Sequence, residues 1–270
     1  MIPRTPIDLR RMPLYTLAAI ALTFLLLPIL ALALRVIQNQ AWVEVSSKLI
    51  SDAIFLSFTT TLLSILLTVL FGTPLAYVLA RYSFRFRTII NVMVELPIVL
   101  PPAVAGLALL VTFGRRGLLG PLLGSLNIEL AFTLWAVVMA QAFVAAPFYI
   151  RSAIVGFQSV PREVEEAARV DGAGGMRLFW YITLPLSAQA LGSGLVLSWA
   201  RALGEFGATI LFAGSLQGRT QTMPLLIYNV IERDINAAIW TGLLLVILAL
   251  IALLISQGLA RKPRLLNNEQ

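Results

Sequence analysis

The sequence predicts an all-α membrane protein with six transmembrane helices, and three observations carry that prediction. Apolar residues fill 59% of the 270 positions against 12% charged, with a mean hydropathy of +0.89; a soluble globule of this length has too little core to hide so much apolar surface. Six blocks almost free of charge recur along the chain, each long enough for the about 20 residues a helix needs to cross about 30 Å of hydrocarbon. Lys and Arg concentrate on alternate connections between those blocks.

Residues 1–13 form a short basic segment with Arg4, Arg10 and Arg11, and the transmembrane domain spans 14–260. The first block, 14–34, has an apolar run longer than a signal peptide's about 7–15 residues, so it is expected to be retained. The second block is 53–80. The third, 88–114, contains Pro97, Pro101 and Pro102, which remove three backbone donors and bend the helix. The fourth is 130–150. The fifth, 178–214, is too long for one perpendicular helix, and Pro185 near its start suggests an interfacial piece before the span proper. The sixth, 235–260, leads to a basic tail, 261–270.

One side of the membrane collects Arg4, Arg10, Arg11, Arg81, Arg85, Arg87, Arg151, Arg162, Arg169, Arg177, Arg261, Lys262 and Arg264; the other has Arg35, Lys48, Arg115, Arg116, Arg219 and Arg233. That asymmetry predicts both termini on the cytoplasmic side of the membrane. The net charge of +7 is spread among apolar blocks rather than gathered on one surface, so nucleic acid is not an expected partner.

Several kinds of chemistry are excluded. Without Cys or His there is no disulfide framework, thiolate zinc site, cysteine nucleophile or imidazole base. The two lysines, Lys48 and Lys262, lie outside any G-x-x-x-x-G-K-[ST] pattern, so the chain has no P-loop. No enzyme activity and no bound cofactor or metal are expected.

The connection 151–177 differs from its surroundings, holding Glu163, Glu165, Glu166 and Asp171. Ser159 can cap a helix start, Pro161 fits the first turn, the early acids suit the helix dipole and Gly172 suits the exit. The result is a helix over 161–171, roughly 16 Å long. Ala173-Gly174-Gly175 then forms an elbow, and Met176 to Tyr181 an aromatic-rich approach to the membrane interface.

Glu166-Ala167-Ala168, three residues, Gly172, nine residues and Ile182-Thr183-Leu184-Pro185 together resemble the EAA–G–I-x-LP loop of the membrane permeases of ATP-binding-cassette importers. Over roughly 55–260, the segments Glu95-Leu96-Pro97 through Pro101-Pro102-Ala103-Val104-Ala105-Gly106, Gly204-Glu205-Phe206-Gly207-Ala208-Thr209-Ile210 and Gly218 to Pro224 are similar to the molybdate and tungstate branch, more distantly sulfate. The resemblance implies a type I importer permease fold. It implies a coupling helix from Pro161 to Ala173 that docks on a separate ATPase dimer, the carrier of ATP and Mg. A second copy of the chain, and a periplasmic or lipid-anchored oxyanion-binding protein, are the other implied partners. Small Ala167 and Ala168 allow close approach to a groove, Gly172 the turn after it, and the acids Glu163, Glu165, Glu166 and Asp171 can pair with basic groups of the ATPase.

Three ionisable residues fall inside the blocks: Glu95, Arg201 and Glu205. Charge at membrane depth is costly and faces protein or water. Arg201 and Glu205, four apart, can form a pair that Glu95 joins as a further hydrogen-bond partner. Small residues form two helical rows, Gly194/Ser198/Ala202 and Ala200/Gly204/Ala208, suited to close helix packing. Irregular backbone lines cavities or is buried, which places a translocation pathway between the third and fifth blocks. Its candidate residues are Glu95, Pro97, Pro101, Pro102, Arg201, Gly204, Glu205, Gly207 and Thr209. The following loop, with Ser215, Gln217, Arg219, Thr220, Gln221 and Thr222, is rich in donors that suit an oxyanion, a docked binding protein or water.

The function expected is translocation of an oxyanion, molybdate or tungstate, with a sulfate or thiosulfate permease as the near alternative. A secondary transporter would need coupling-ion sites and usually an internal repeat, which the sequence does not display.

Overall fold

The computed structural model describes residues 12–43 and 47–260; the basic segment's Arg4, Arg10 and Arg11 and the tail 261–270 lie outside the described residues. The described chain is helical throughout: α1 (Met12–Asn39), α2 (Ser47–Arg81), α3 (Arg87–Val99), α4 (Pro102–Phe113), α5 (Gly120–Ser125), α6 (Leu134–Gln158), α7 (Arg162–Val170), α8 (Gly175–Leu178), a one-turn π-helical segment (Phe179–Thr183), α9 (Leu184–Leu203), α10 (Gly207–Phe212), α11 (Met223–Ile231) and α12 (Ile235–Ala260). By length and composition, α1, α2 and α6 are each able to cross a membrane, and the bent α3–α4 pair counted as one broken span makes four.

The third block divides because of its prolines. Leu100 and Pro101 each precede a proline, a position that disfavours helical backbone, and both are extended, with ψ of 133°. The helices on either side are bent by 114°. Pro97, by contrast, sits inside α3.

The fifth block divides where no proline explains it. α9 is helical from its first turn, which accommodates Pro185, to Leu203, and Gly204 to Phe206 separate it from α10. The interfacial piece expected at Pro185 is instead the helical α8 and π-helical segment running directly into α9.

The core is built around α6, which lies between α2 and α9. Its buried residues are mostly small or slender, including Ala136, Val137, Ala140, Val144, Ala145 and Ala153, with Tyr149 and Phe157 filling wider space. The row Gly194, Ser198, Ala202 is buried. A Cβ on Gly194 would collide with Ser152 of α6, and Ser198 Oγ donates to the Ala145 carbonyl at 2.8 Å. Close packing is therefore what that row does. The second row fails as a row, because the helix ends at Leu203: Gly204 is exposed while Ala208 is buried on α10.

α1 contributes almost nothing to this core. Of its side chains only Val36 is buried, and Asn39 donates to Asn236 of α12 at 2.9 Å.

Candidate functional site: the acidic loop helix and the paired helix breaks

α6 continues to Gln158, eight residues past the expected end of its block. Ser159 therefore closes α6 rather than opening the next helix: its Oγ donates to the Gly156 carbonyl at 2.7 Å. Pro161, extended with ψ of 137°, is the N-cap of α7, which has no side-chain cap. The exit is as the sequence requires. Gly172 has φ of +87°, its N–H bonds the Arg169 carbonyl at 3.0 Å, and the Ala173 N–H bonds that of Ala168 at 2.9 Å. This pair of bonds around a left-handed residue is the Schellman closure, and the conformation favours glycine.

α7 presents two faces. Val164, Ala167 and Val170 are exposed, with Val170 at 87%; Glu163, Glu166 and Asp171 are exposed as well. Ala168 is buried. Glu165 turns inward, only 4% exposed, where Arg81 Nη2 donates to its Oε1 at 2.6 Å and Thr183 Oγ1 donates to the same oxygen at 2.8 Å. Arg81 Nη2 also reaches the Val160 carbonyl at 3.2 Å. Of the four acids expected to meet a partner, Glu165 is thus committed to its own chain. It ties the end of α2, the start of α7 and the π-helical entry to α9 together. Sequence reasoning counts Arg81 only as an orientation charge; its place directly after an apolar block, in a chain with one acid-rich loop, is the available signal.

The second cluster forms where the two broken blocks meet. α10 packs on α4 so closely that a Cβ on Gly106 would come within 2.6 Å of the Ala208 carbonyl oxygen, and one on Gly207 within 2.7 Å of Pro102 Cβ. Glu205, 1% exposed, holds the α9–α10 break. Its Oε2 lies 2.6 Å from Arg201 Nη1 and its Oε1 accepts the Ala208 N–H at 2.7 Å, satisfying a donor in the first turn of α10. Arg201 keeps 29% of its side chain exposed. Thr209 is buried with its Oγ1 unpaired, as is Gln141 Oε1 on α6.

Glu95 does not join this pair. It faces Arg151 at 3.6 Å, with side chains 48% and 66% exposed, because α6 runs on past the position where its block was expected to end and carries Arg151 alongside α3. Pro97 is half-buried, while Pro101 and Pro102 are exposed. The structure therefore brings Pro102, Gly207, Arg201, Glu205 and Thr209 to one junction, with Gly204 at its exposed edge, and leaves Glu95 elsewhere.

Much of the donor-rich loop points inward. Thr220, Gln221 and Thr222 are buried; Thr220 Oγ1 accepts the Leu216 N–H at 2.9 Å, and Ser215 Oγ accepts from Asn229 Nδ2 at 2.7 Å. Gln217 and Arg219 remain exposed. Beyond α4, Arg115 pairs with Glu129 at 2.6 Å, and that hydrogen bond raises the Arg115 pKa above its ordinary value.

α2 also carries a hydroxyl stripe that sequence reasoning missed: Ser57, Thr60, Thr61, Ser64 and Thr68 are all buried. Ser57 Oγ accepts the Met223 N–H at 2.8 Å and Thr61 Oγ1 the Trp199 indole N–H at 3.1 Å. Hydroxyl residues at helical spacing inside an apolar block are the signal for it.

Comparison with known proteins gives this arrangement a lineage. The molybdenum transport system permease protein ModB of Mycobacterium tuberculosis (strain ATCC 25618 / H37Rv) is 41% identical over 249 residues, 92% of this chain and 94% of that protein. The sulfate transport system permease protein CysW of Synechococcus elongatus is 37% identical over 196 residues, 73% of this chain and 68% of that one. Among solved structures, a chain of a bacterial ABC transporter involved in the import of the acidic polysaccharide alginate superposes with a TM-score of 0.73 at 19% identity, covering 93% of this chain and 96% of that chain. Residues 72–264 match the family described as binding-protein-dependent transport system inner membrane component. The chain belongs to that family, as a multi-pass inner-membrane permease.

Proposed function

We propose that the chain is the membrane-spanning subunit of an ATP-driven importer for an oxyanion, molybdate or tungstate. Two copies cross the membrane six times each with both termini cytoplasmic, on a separate ATPase dimer that carries ATP and Mg, and receive substrate from a periplasmic or lipid-anchored binding protein. The domain limits are 1–13, 14–260 and 261–270. The observation that carries the reading is the identity with the molybdenum permease along almost the whole of both chains; the free face of α7 adds to it.

In this reading Pro161 to Ala173 form the coupling helix. Val164, Ala167 and Val170 offer an apolar stripe to a groove on the ATPase, flanked by Glu163, Glu166 and Asp171, while Glu165, Ala168 and the Gly172–Ala173 closure fix the helix to its own subunit. Movement of α7 is passed to α2 through Arg81 and to α9 through Thr183. The junction of α4 and α10, with Pro102, Arg201, Gly204, Glu205, Gly207 and Thr209, is the gate along the pathway. Pro101 and Pro97 shape α3 and α4 around it, while Glu95, paired with Arg151, lies apart from it. Nothing in this scheme asks the chain for covalent chemistry, and a sequence with neither His nor Cys offers no imidazole base and no thiolate.

Uptake into vesicles with ATP inside and binding protein outside tests the reading. ATP-dependent molybdate uptake by the chain with its co-purified ATPase is expected; ATP-independent uptake, or no associated ATPase, would overturn it. The identity with a sulfate permease makes sulfate the second reading, decided by which anion the cognate binding protein retains.

A further inference from the structure

We propose that the recess between the end of α2 and the inward face of α7 binds a tetrahedral oxyanion, and that an anion there bridges Arg162 and Arg169 at the two ends of α7. The recess holds about 160 Å³, against roughly 10–15 Å³ for a single water. Tyr77 and Tyr82 wall one side, and Tyr77 is held by edge-on contacts with Tyr82, Phe157 and Phe179, so the wall is preformed.

Three guanidinium groups line the recess, those of Arg81, Arg162 and Arg169, against the carboxylates of Glu165 and Glu166. Arg81 cancels Glu165 through their ion pair, and one further arginine offsets Glu166, leaving a net positive charge. Arg162 and Arg169 stand seven residues apart, two turns along one helical face. Both are exposed, and among the described residues neither forms an ion pair. Arg81 lies behind them and is spent on its own chain: its side chain is 9% exposed and its Nη2 is occupied by Glu165 and Val160. The forked guanidinium groups of Arg162 and Arg169, on the same face of α7 as Glu165, are the donors left for an anion's oxygens.

One chemistry has two sources here. A free oxyanion, including the cargo after release, can enter from the aqueous side. The phosphate of an anionic lipid can enter from the bilayer, because exposed Tyr82 and Trp180 place the recess at interface height. The inference rests on the proposed coupling role of α7.

The test uses the permease–ATPase complex in phosphatidylcholine nanodiscs, titrated calorimetrically with inorganic phosphate and sulfate, and in nanodiscs containing phosphatidylglycerol, with retained lipid counted by mass spectrometry. Wild type is compared with R162Q/R169Q, which alters exposed side chains only. Saturable binding of free anion, one per permease chain and weakened at least tenfold in the variant, supports the site with a free-ion source; variant-sensitive retention of phosphatidylglycerol supports it with a lipid source. Equal behaviour of wild type and variant in both arms overturns it. ATP-driven molybdate uptake by the same wild-type complex reconstituted into sealed vesicles separates the two readings: uptake with no variant-sensitive anion binding sinks the recess alone, and absence of uptake or of ATPase sinks the importer reading.

Discussion

Arg81, the last residue of α2, places its Nη2 2.6 Å from Oε1 of Glu165, a residue 84 positions further along the chain, with both side chains almost wholly buried. A buried ion pair is destabilised far more by losing one partner than by losing both. Arg81→Ala should therefore lower the stability of the detergent-solubilised chain by about 3–5 kcal/mol, while R81M/E165L should recover much of it. Thermal unfolding of the two single variants and the double variant measures this; a double variant as unstable as the sum of the singles would contradict it.

Glu165→Gln keeps the acceptor for Thr183 and removes the charge opposite Arg81. On the coupling reading, the variant should retain the bundle but couple poorly, with ATP hydrolysed per anion imported rising severalfold. Hydrolysis and uptake measured on the same vesicles give the ratio, and an unchanged ratio would argue against transmission through this contact.

A Cβ added at Gly172 would meet nothing within 4 Å, yet the residue's φ is +87°. Conformation, not bulk, restricts the site. Gly172→Asn should be tolerated, and Gly172→Val should cost about 1–2 kcal/mol through backbone strain, seen as reduced ATPase co-purification. Equal loss in both variants would show that size matters after all.

At the α4–α10 junction the reverse holds. Gly106→Ala would press its methyl against the Ala208 carbonyl, and overpacking of this kind costs typically about 1–3 kcal/mol. The expected result is a lower unfolding temperature with transport impaired. Normal stability and transport would mean that α10 is free to retreat from α4.

Glu205→Ala should be worse for uptake than Glu205→Gln, because the amide keeps an acceptor for the Ala208 N–H and loses only the Arg201 charge. Uptake rates for the two variants at matched expression decide it; identical rates would leave the helix-capping bond without a role.

The parts of the molecule legible in its sequence are those set by local rules. Pro101 and Pro102 declare the break after α3 because each constrains its predecessor, and Gly172 declares the end of α7 because only a left-handed residue completes the closure. Arg201 and Glu205 are readable as a pair by spacing alone. What is hidden depends on tertiary partners. Ser159 has the chemistry of an N-cap, but α6 runs on to reach it. Glu95 finds Arg151 instead of Arg201, since the α3–α4 bend and the length of α6 decide its neighbour. The break at Gly204 to Phe206 has no proline; it persists because Glu205 satisfies Ala208 and because Gly106 and Gly207 let α10 settle against α4.

With Val36 its one buried side chain, α1 is almost released from the jigsaw constraints that bind the rest of the chain. Within its own subunit α1 answers to no tightly packed neighbour, so substitutions along it should leave the packing of α2, α6 and α9 as it is.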